Sequence, residues 1–285
     1  MHIKYSWIIL ITLCLAGILS CSKKIKKIED KIYSRHLQTH IPLSIISTPL
    51  PDDTKKINLL LLNDGQDIEQ LNVVKTVDSL YKATAIEPII IVAIHSIDRM
   101  QTYGVAGIPD YNKRGSKADK YEQFIFNELL PFVKKQSGVR KFNSIAIAGC
   151  SLGGLSAMDI AWNHADKINK VGVFSGSFWW RDIDITDTAY SDSKNRILLS
   201  KIKTSRKRPK LNYWLYAGNK EEISDRDKDG IIDVVDDTKD LIEIIQNKKL
   251  TTTGEIVFKQ SEDGKHDYNS WSKYFPEFMV WAFGK

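Results

Sequence analysis

Cysteine is nearly absent from this chain: three residues in 285, at positions 14, 21 and 150. Cys14 lies in an apolar leader and Cys21 at its end, so Cys150 has no partner and a disulfide framework is excluded. Long apolar runs are missing too. The most hydrophobic stretch, Ile8 to Leu19, has twelve residues, too few to span a bilayer by itself. There is no basic stripe either. The formal net charge is +6, but Lys and Arg are interleaved with Asp and Glu, which argues against a nucleic-acid partner. Internal repeats and low-complexity blocks are also lacking, so a repeat array is excluded. What remains is an ordinary globular mixture, 42% hydrophobic and 27% charged, of a length that suits one large α/β domain.

The leader carries an address. Lys4 precedes the apolar run, and Ile18-Leu19-Ser20-Cys21 resembles a bacterial lipobox, in which cleavage before the cysteine exposes a thiol and an amine that then carry acyl chains. Residues 1–20 are therefore expected to be a lipoprotein signal peptide and Cys21 the lipidated anchor, several acyl chains being what makes anchoring stable. The expected location is exported and membrane-held, facing the periplasm or the cell surface. Residues 21–31, rich in Lys and without apolar period, read as a solvated tether, and residues 32–285 as the folded domain.

Within that domain, Tyr33 to Leu37 and Ile41 to Ile46 read as an opening strand pair, and Pro49 to Asp53 as a turn cluster. Short apolar runs follow at 57–62, 89–94, 145–148, 171–174, 213–217 and 256–258, each suited to a strand buried on both faces. Helical periods lie between them, at 68–85, 118–135, 152–164, 238–247 and 270–283. Strands alternating with helices predict an α/β fold with a mostly parallel central sheet covered on both faces.

One junction carries chemistry. Ile145 to Ala148 is a buried strand, Gly149-Cys150-Ser151-Leu152-Gly153-Gly154 reads G-x-S-x-G-G, and Leu155 to Asn163 is amphipathic. Strand, sharp turn and helix form the context in which such a serine is pushed out at the carboxyl edge of a sheet. Gly149 and Gly153 are needed because side chains there would strike the neighbouring strand and helix. Ser151 is the expected nucleophile, and the Leu152 amide, opening the helix, an expected oxyanion donor.

A hydroxyl needs a base. Of six histidines, His2 is in the leader, His36 and His40 sit in the opening strands and His164 closes the helix after the turn. His266, in the loop before the final helix, follows the serine in the expected chain order, and His95 is better suited to a structural role. The acid belongs on the loop after Tyr213 to Gly218, where Glu221 is the first choice and Glu222 and Asp225 compete. A second oxyanion amide is expected from Gln66 or Asp67, in the turn after the 57–62 run.

Four stretches together carry a family likeness: Leu59 to Gln66, Gly149 to Gly154, Phe174 to Trp180 and Gly264 to Trp271. They resemble the esterase family that includes enterochelin esterases, feruloyl esterases and esterase D. The resemblance implies an α/β-hydrolase fold and cleavage of carboxylic esters through an acyl-enzyme, without a catalytic cofactor, on a small-molecule or glycan ester. It also implies Ser151 as nucleophile, His266 as base and Glu221 as acid. The turn Gly218-Asn219-Lys220-Glu221 departs from the Gly-Thr-Asn-like turn of relatives. Because the family includes mycolyltransferases, acyl transfer to another acceptor is an alternative, as is an inactive binding lipoprotein on the same fold.

Beside the acid, Asp225, Asp227, Asp229, Asp233 and Asp236 occupy positions 1, 3, 5, 9 and 12 of a loop with Gly230 at position 6. That is the ligand spacing of an EF-hand loop, with the Ile231 carbonyl at position 7 and Asp where a Glu is usual at position 12. A structural Ca2+ is expected in this inserted loop, 225–236. Phe178, Trp179 and Trp180 suit either an aromatic pocket wall or core packing. Lys201, Lys203, Arg206, Lys207, Arg208 and Lys210 read as a solvated helix end and linker.

Overall fold

A computed structural model describes residues 24–248 and 255–285. The leader and Cys21 lie outside these residues. Among the described residues, eight strands form one sheet: β1 (Lys26–Ser34), β2 (Thr39–Ser47), β3 (Asn58–Asn63), β4 (Ile89–Ile94), β5 (Ile145–Cys150), β6 (Lys170–Phe174), β7 (Asn212–Gly218) and β8 (Ile256–Ser261). Their order is β1-β2-β4-β3-β5-β6-β7-β8. β1 and β2 join antiparallel, as do β2 and β4, and every later pairing is parallel. All residues of β3 and β4 are buried, which is why β4 is apolar throughout and β3 is apolar between its terminal Asn58 and Asn63.

The period of two sorts the core into two layers. Leu59, Leu61, Ile147, Val171 and Val173 face one side, where α5 (Leu152–Asn163) and α7 (Ile197–Thr204) supply Leu155, Met158, Leu198 and Ile202. Leu60, Leu62, Ala146, Ala148 and Trp214 face the other, covered by α1 (Val73–Lys82) and α9 (Tyr268–Phe283) through Val77, Phe275, Phe278 and Met279. Gly172 admits the Phe278 ring, whose edge would lie 2.8 Å from an added Cβ. Each layer buries large apolar area, the main driving force for this arrangement.

Two expectations need correction. The stretch read as a tether is in part a strand, because β1 begins at Lys26 and pairs with β2 from Lys26↔Ser47 to Ser34↔Thr39. It escaped notice because an edge strand open on both faces needs no apolar alternation; Ile28 is 56% exposed and charges surround it, which also blunts the open edge. The basic run is not all solvated either. It overlaps α7, whose Lys201 pairs at 2.5 Å with the buried Asp159. α2 (Arg99–Thr102) and α6 (Asp192–Asn195) are single turns, and the expected helix at 118–135 forms as α3 (Ala118–Phe124) and α4 (Leu130–Ser137) joined by a π-turn at Ile125–Leu129.

Candidate active site

At the carboxyl edge of the sheet, β5 ends at Cys150, Ser151 takes φ 54° and ψ −123°, and α5 starts at Leu152. A non-glycine residue in that region is strained, and the structure around it holds it there. The Ser151 amide donates to the Phe174 carbonyl at 2.8 Å, and Asn63 Nδ2 donates to the Gly153 carbonyl at 2.8 Å. A Cβ on Gly149 would sit 2.5 Å from the Gly153 carbonyl carbon, which is backbone and cannot step aside. Gly149→Ala is thus expected to cost about 1–3 kcal/mol or more by overpacking. A thermal melt should fall by several degrees; unchanged melting would show that the turn does not need this approach.

Three side chains line up on this edge. Ser151 Oγ is 2.9 Å from His266 Nε2, and His266 Nδ1 is 2.8 Å from Glu221 Oε2. The Glu221 side chain is 1% exposed and that of His266 40%, so a buried carboxylate orients a solvent-reaching imidazole. The acid turn and the histidine loop are stitched together past the ends of β7 and β8. Asn219 N donates to Ser261 O at 2.8 Å and Lys220 N to Gly264 O at 2.9 Å. Of the three candidate acids, only Glu221 meets the imidazole. Glu222 instead accepts from the Val234 amide at 2.8 Å, and burial pushes its carboxyl up. Asp225 belongs to the acidic loop described below.

The Leu152 amide opens α5, where the helix dipole favours an anion. Across the site, the turn after β3 corrects one expectation. The Asp67 amide is already given to the Asp64 carbonyl at 3.0 Å, closing the 3-10 turn Gly65–Asp67, which leaves Gln66 as the second candidate donor. Gln66 is held by its own side chain: Nε2 donates to Asp64 Oδ1 and Asp67 Oδ2, and Oε1 accepts from the Ser96 amide. Asp64, which sequence reasoning did not single out, pairs with Arg99 at 3.0 and 3.2 Å while Arg99 also donates to the Cys150 carbonyl. Its place in the family-like stretch Leu59 to Gln66 is the available signal; Arg99 has none.

A cavity of about 280 Å3 opens beside Ser151, with Ser177, Trp179, Glu222 and Val234 in its wall. Trp179 is the half-buried wall, whereas Phe178 and Trp180 are core. Ser177 Oγ lies 3.3 Å from Ser151 Oγ. Cys150 points inward, a free buried thiol raised well above its usual range by burial. His95 is packed against Gly65 and 2.9 Å from Ser44 Oγ, and does not line the cavity beside Ser151.

In the acidic loop, ligand atoms of Asp225, Asp227 and Asp229 all lie within 4.8 Å of one another. Asp233 departs from the expected set. It opens α8 (Asp233–Asn247), accepts from the Arg226 amide at 2.8 Å and pairs with the Arg226 guanidinium at 3.1 Å. Asp236 follows in the same helical turn, its carboxyl pushed up to about 6 by burial and then by the carboxylates of Asp240, Asp227, Asp237 and Asp229.

A family model described as "Putative esterase" matches residues 34–281. The chain belongs to this esterase family. A protein of Bacillus subtilis (strain 168), YbbA, described as uncharacterized, is 21% identical over 262 residues, covering 90% of this chain and 96% of that one. Among solved structures, the enterobactin esterase of Shigella flexneri superposes with TM-score 0.65 at 22% identity, covering 90% of this chain. The chain spans 58% of that enzyme's length. A ferulic acid esterase superposes with TM-score 0.65 at 18% identity, covering 91% of this chain and 98% of that one. These likenesses show the α/β-hydrolase fold, and the family model places the chain among esterases.

Proposed function

We propose that this esterase is a serine hydrolase in which Ser151 is the nucleophile, His266 the general base and Glu221 the orienting acid. The observation that carries the reading is the unbroken hydrogen-bonded series from Ser151 Oγ through His266 to Glu221. His266 Nε2 takes the Ser151 proton as Oγ attacks the ester carbonyl, and the Leu152 and Gln66 amides hold the oxyanion. The C–O bond then breaks, the alcohol leaving with the proton from His266. Water activated by the same imidazole adds to the acyl-enzyme, and the acid is released as Ser151 recovers its proton. No step needs a metal or an organic cofactor.

The substrate class is a small-molecule or glycan ester, which the names of the structural neighbours, an enterobactin and a ferulic acid esterase, support as a starting panel. The half-buried Trp179 offers such a substrate a flat apolar wall. Export and a lipid anchor at Cys21 rest on the leader sequence. The test is turnover of catecholate, feruloyl, acetyl-glycan and short acyl esters, with mass spectrometry after a fluorophosphonate probe. Turnover with the probe on Ser151 supports the reading. Neither turnover nor label would leave a binding protein on a hydrolase fold, and product diverted to an added sugar or lipid acceptor would make it an acyltransferase.

The same reading includes a structural Ca2+ at Asp225, Asp227 and Asp229, with Asp236 nearby, since carboxylates this close repel one another without a cation. Its proposed role is to order the segment between Glu222 and α8, whose two flanks put Glu222 and Val234 in the cavity wall. At a hundredfold excess over its Kd, a cation stabilises the fold by about 2.7 kcal/mol, which for a domain of this size is roughly 5–10 °C in melting temperature. Calorimetry with calcium and with chelator checks this. The shift should vanish in Asp227→Ala, and no shift in the unmodified protein would remove calcium from the account.

A further inference from the structure

We propose that Ser175 and Trp271 are positioning residues that orient the acid and the base together, through a directional hydrogen-bonded chain ending on Glu221. The inference rests on the reading of Ser151, His266 and Glu221 as a hydrolytic triad. Ser175 is the first residue beyond β6, fully buried, with φ 53°. Its amide donates to the Tyr216 carbonyl at 2.8 Å, which anchors this turn to β7. Glycine is the residue that adopts such a backbone without strain. A serine held there points to a use for its hydroxyl.

The hydroxyl has two partners. Trp271 Nε1 donates to Ser175 Oγ at 2.7 Å, and Ser175 Oγ donates to Glu221 Oε1 at 2.6 Å. An indole N–H can only donate, so Ser175 Oγ must accept from it, and the single hydroxyl proton is thereby aimed at the carboxylate. The Gly218 amide donates to the same Oε1 at 2.6 Å. Two donors occupy Oε1, and Oε2 is left to His266 Nδ1 at 2.8 Å. The carboxylate is prevented from rotating and is held as an acceptor on the side that faces the imidazole. His266 must then carry its proton on Nδ1 and present the Nε2 lone pair to Ser151.

Trp271 reaches the base as well. Its ring stands edge-on to the His266 ring, with centroids 5.1 Å apart and planes at 79°. It sits in the first turn of α9, directly after the histidine loop, and it is buried. One side chain therefore limits the tilt of the imidazole and starts the chain that orients its partner. Neither residue supplies or accepts the proton that moves in the reaction.

Two substitutions isolate the chain. Ser175→Gly deletes the hydroxyl while easing the backbone, and Trp271→Phe deletes the N–H while keeping a ring. Loss of a hydrogen bond to a charged group predicts a roughly 10- to 100-fold fall in kcat for Ser175→Gly. Trp271→Phe should lose about three- to tenfold, since the hydroxyl can still reach Glu221 but is no longer aimed. KM should stay within about twofold in both, because no substrate contact is removed. In the Ser175→Gly background, Trp271→Phe should add almost nothing, since the chain is already cut. Fluorophosphonate should still label Ser151 to completion, more slowly. Wild-type kcat in Ser175→Gly, a loss carried by KM, or full additivity would each overturn the inference. An unmodified protein that neither hydrolyses esters nor takes the label would overturn the triad itself, an outcome visible before any variant is made.

Discussion

Ser151→Ala is expected to lower kcat for a chromogenic ester by about 10^6-fold while leaving KM nearly unchanged, the scale seen when a hydrolase nucleophile is deleted. The substitution removes one atom from an intact setting. His266 keeps its place against Glu221, the Leu152 and Gln66 amides keep theirs, and the cavity wall of Ser177, Trp179 and Val234 is untouched. Alanine must adopt the same φ of 54°, with a strain similar to that of serine, so the fold should melt at a similar temperature. Loss of turnover with retained melting therefore isolates the chemistry. The residual rate should still exceed the uncatalysed one, because oxyanion donors and binding remain. A mutant that keeps more than a few per cent of wild-type turnover, or still takes a fluorophosphonate adduct elsewhere in the site, would move the nucleophile away from Ser151.

Glu221→Gln should lower kcat by about 10^4-fold, for a reason that is specific to the hydrogen bonds around this carboxylate. Oε1 accepts from both the Gly218 amide and the Ser175 hydroxyl. A glutamine must therefore keep its carbonyl oxygen at that position, which turns its NH2 towards His266 Nδ1. Two N–H groups cannot face each other, so the imidazole is driven to the tautomer with its proton on Nε2. That nitrogen lies 2.9 Å from Ser151 Oγ and could no longer accept the serine proton. Size and shape are nearly unchanged, so binding and melting should hold while kcat falls. Full activity in Glu221→Gln would mean that Ser151 and His266 act as a pair and that the carboxylate is structural.

The elements easiest to recognise are those whose physics is local. A strand buried on both faces is a near-continuous apolar run, and 89–94 is delimited by that alone. The turn at Ser151 is specified within a few residues, since Gly149 and Gly153 can be judged by their spacing. β1 was missed for the converse reason: as an exposed edge, it is defined by pairing with β2 and carries no apolar period. α7 was obscured because Lys201, which looks like a solvent cation, has a buried carboxylate as its partner, 42 residues away.

By itself, then, the sequence determined the class of fold, the strand-turn-helix junction at Ser151, the pairing of that serine with a late histidine, and the resemblance to an esterase family. Each depends on short-range sterics, on burial period or on chain order, all of which can be read along a line. Only the tertiary structure decided that Glu221 and not Glu222 or Asp225 meets the imidazole, that the Asp67 amide is already engaged, that Asp233 goes to Arg226, and that Ser175 and Trp271 end on the acid. These are choices between neighbouring side chains of like chemistry. The choice of acid and the chain from Trp271 are made by partners 45 to 96 residues distant along the chain, which the parallel sheet brings to one edge, whereas Asp67 and Asp233 are taken by partners within their own turns.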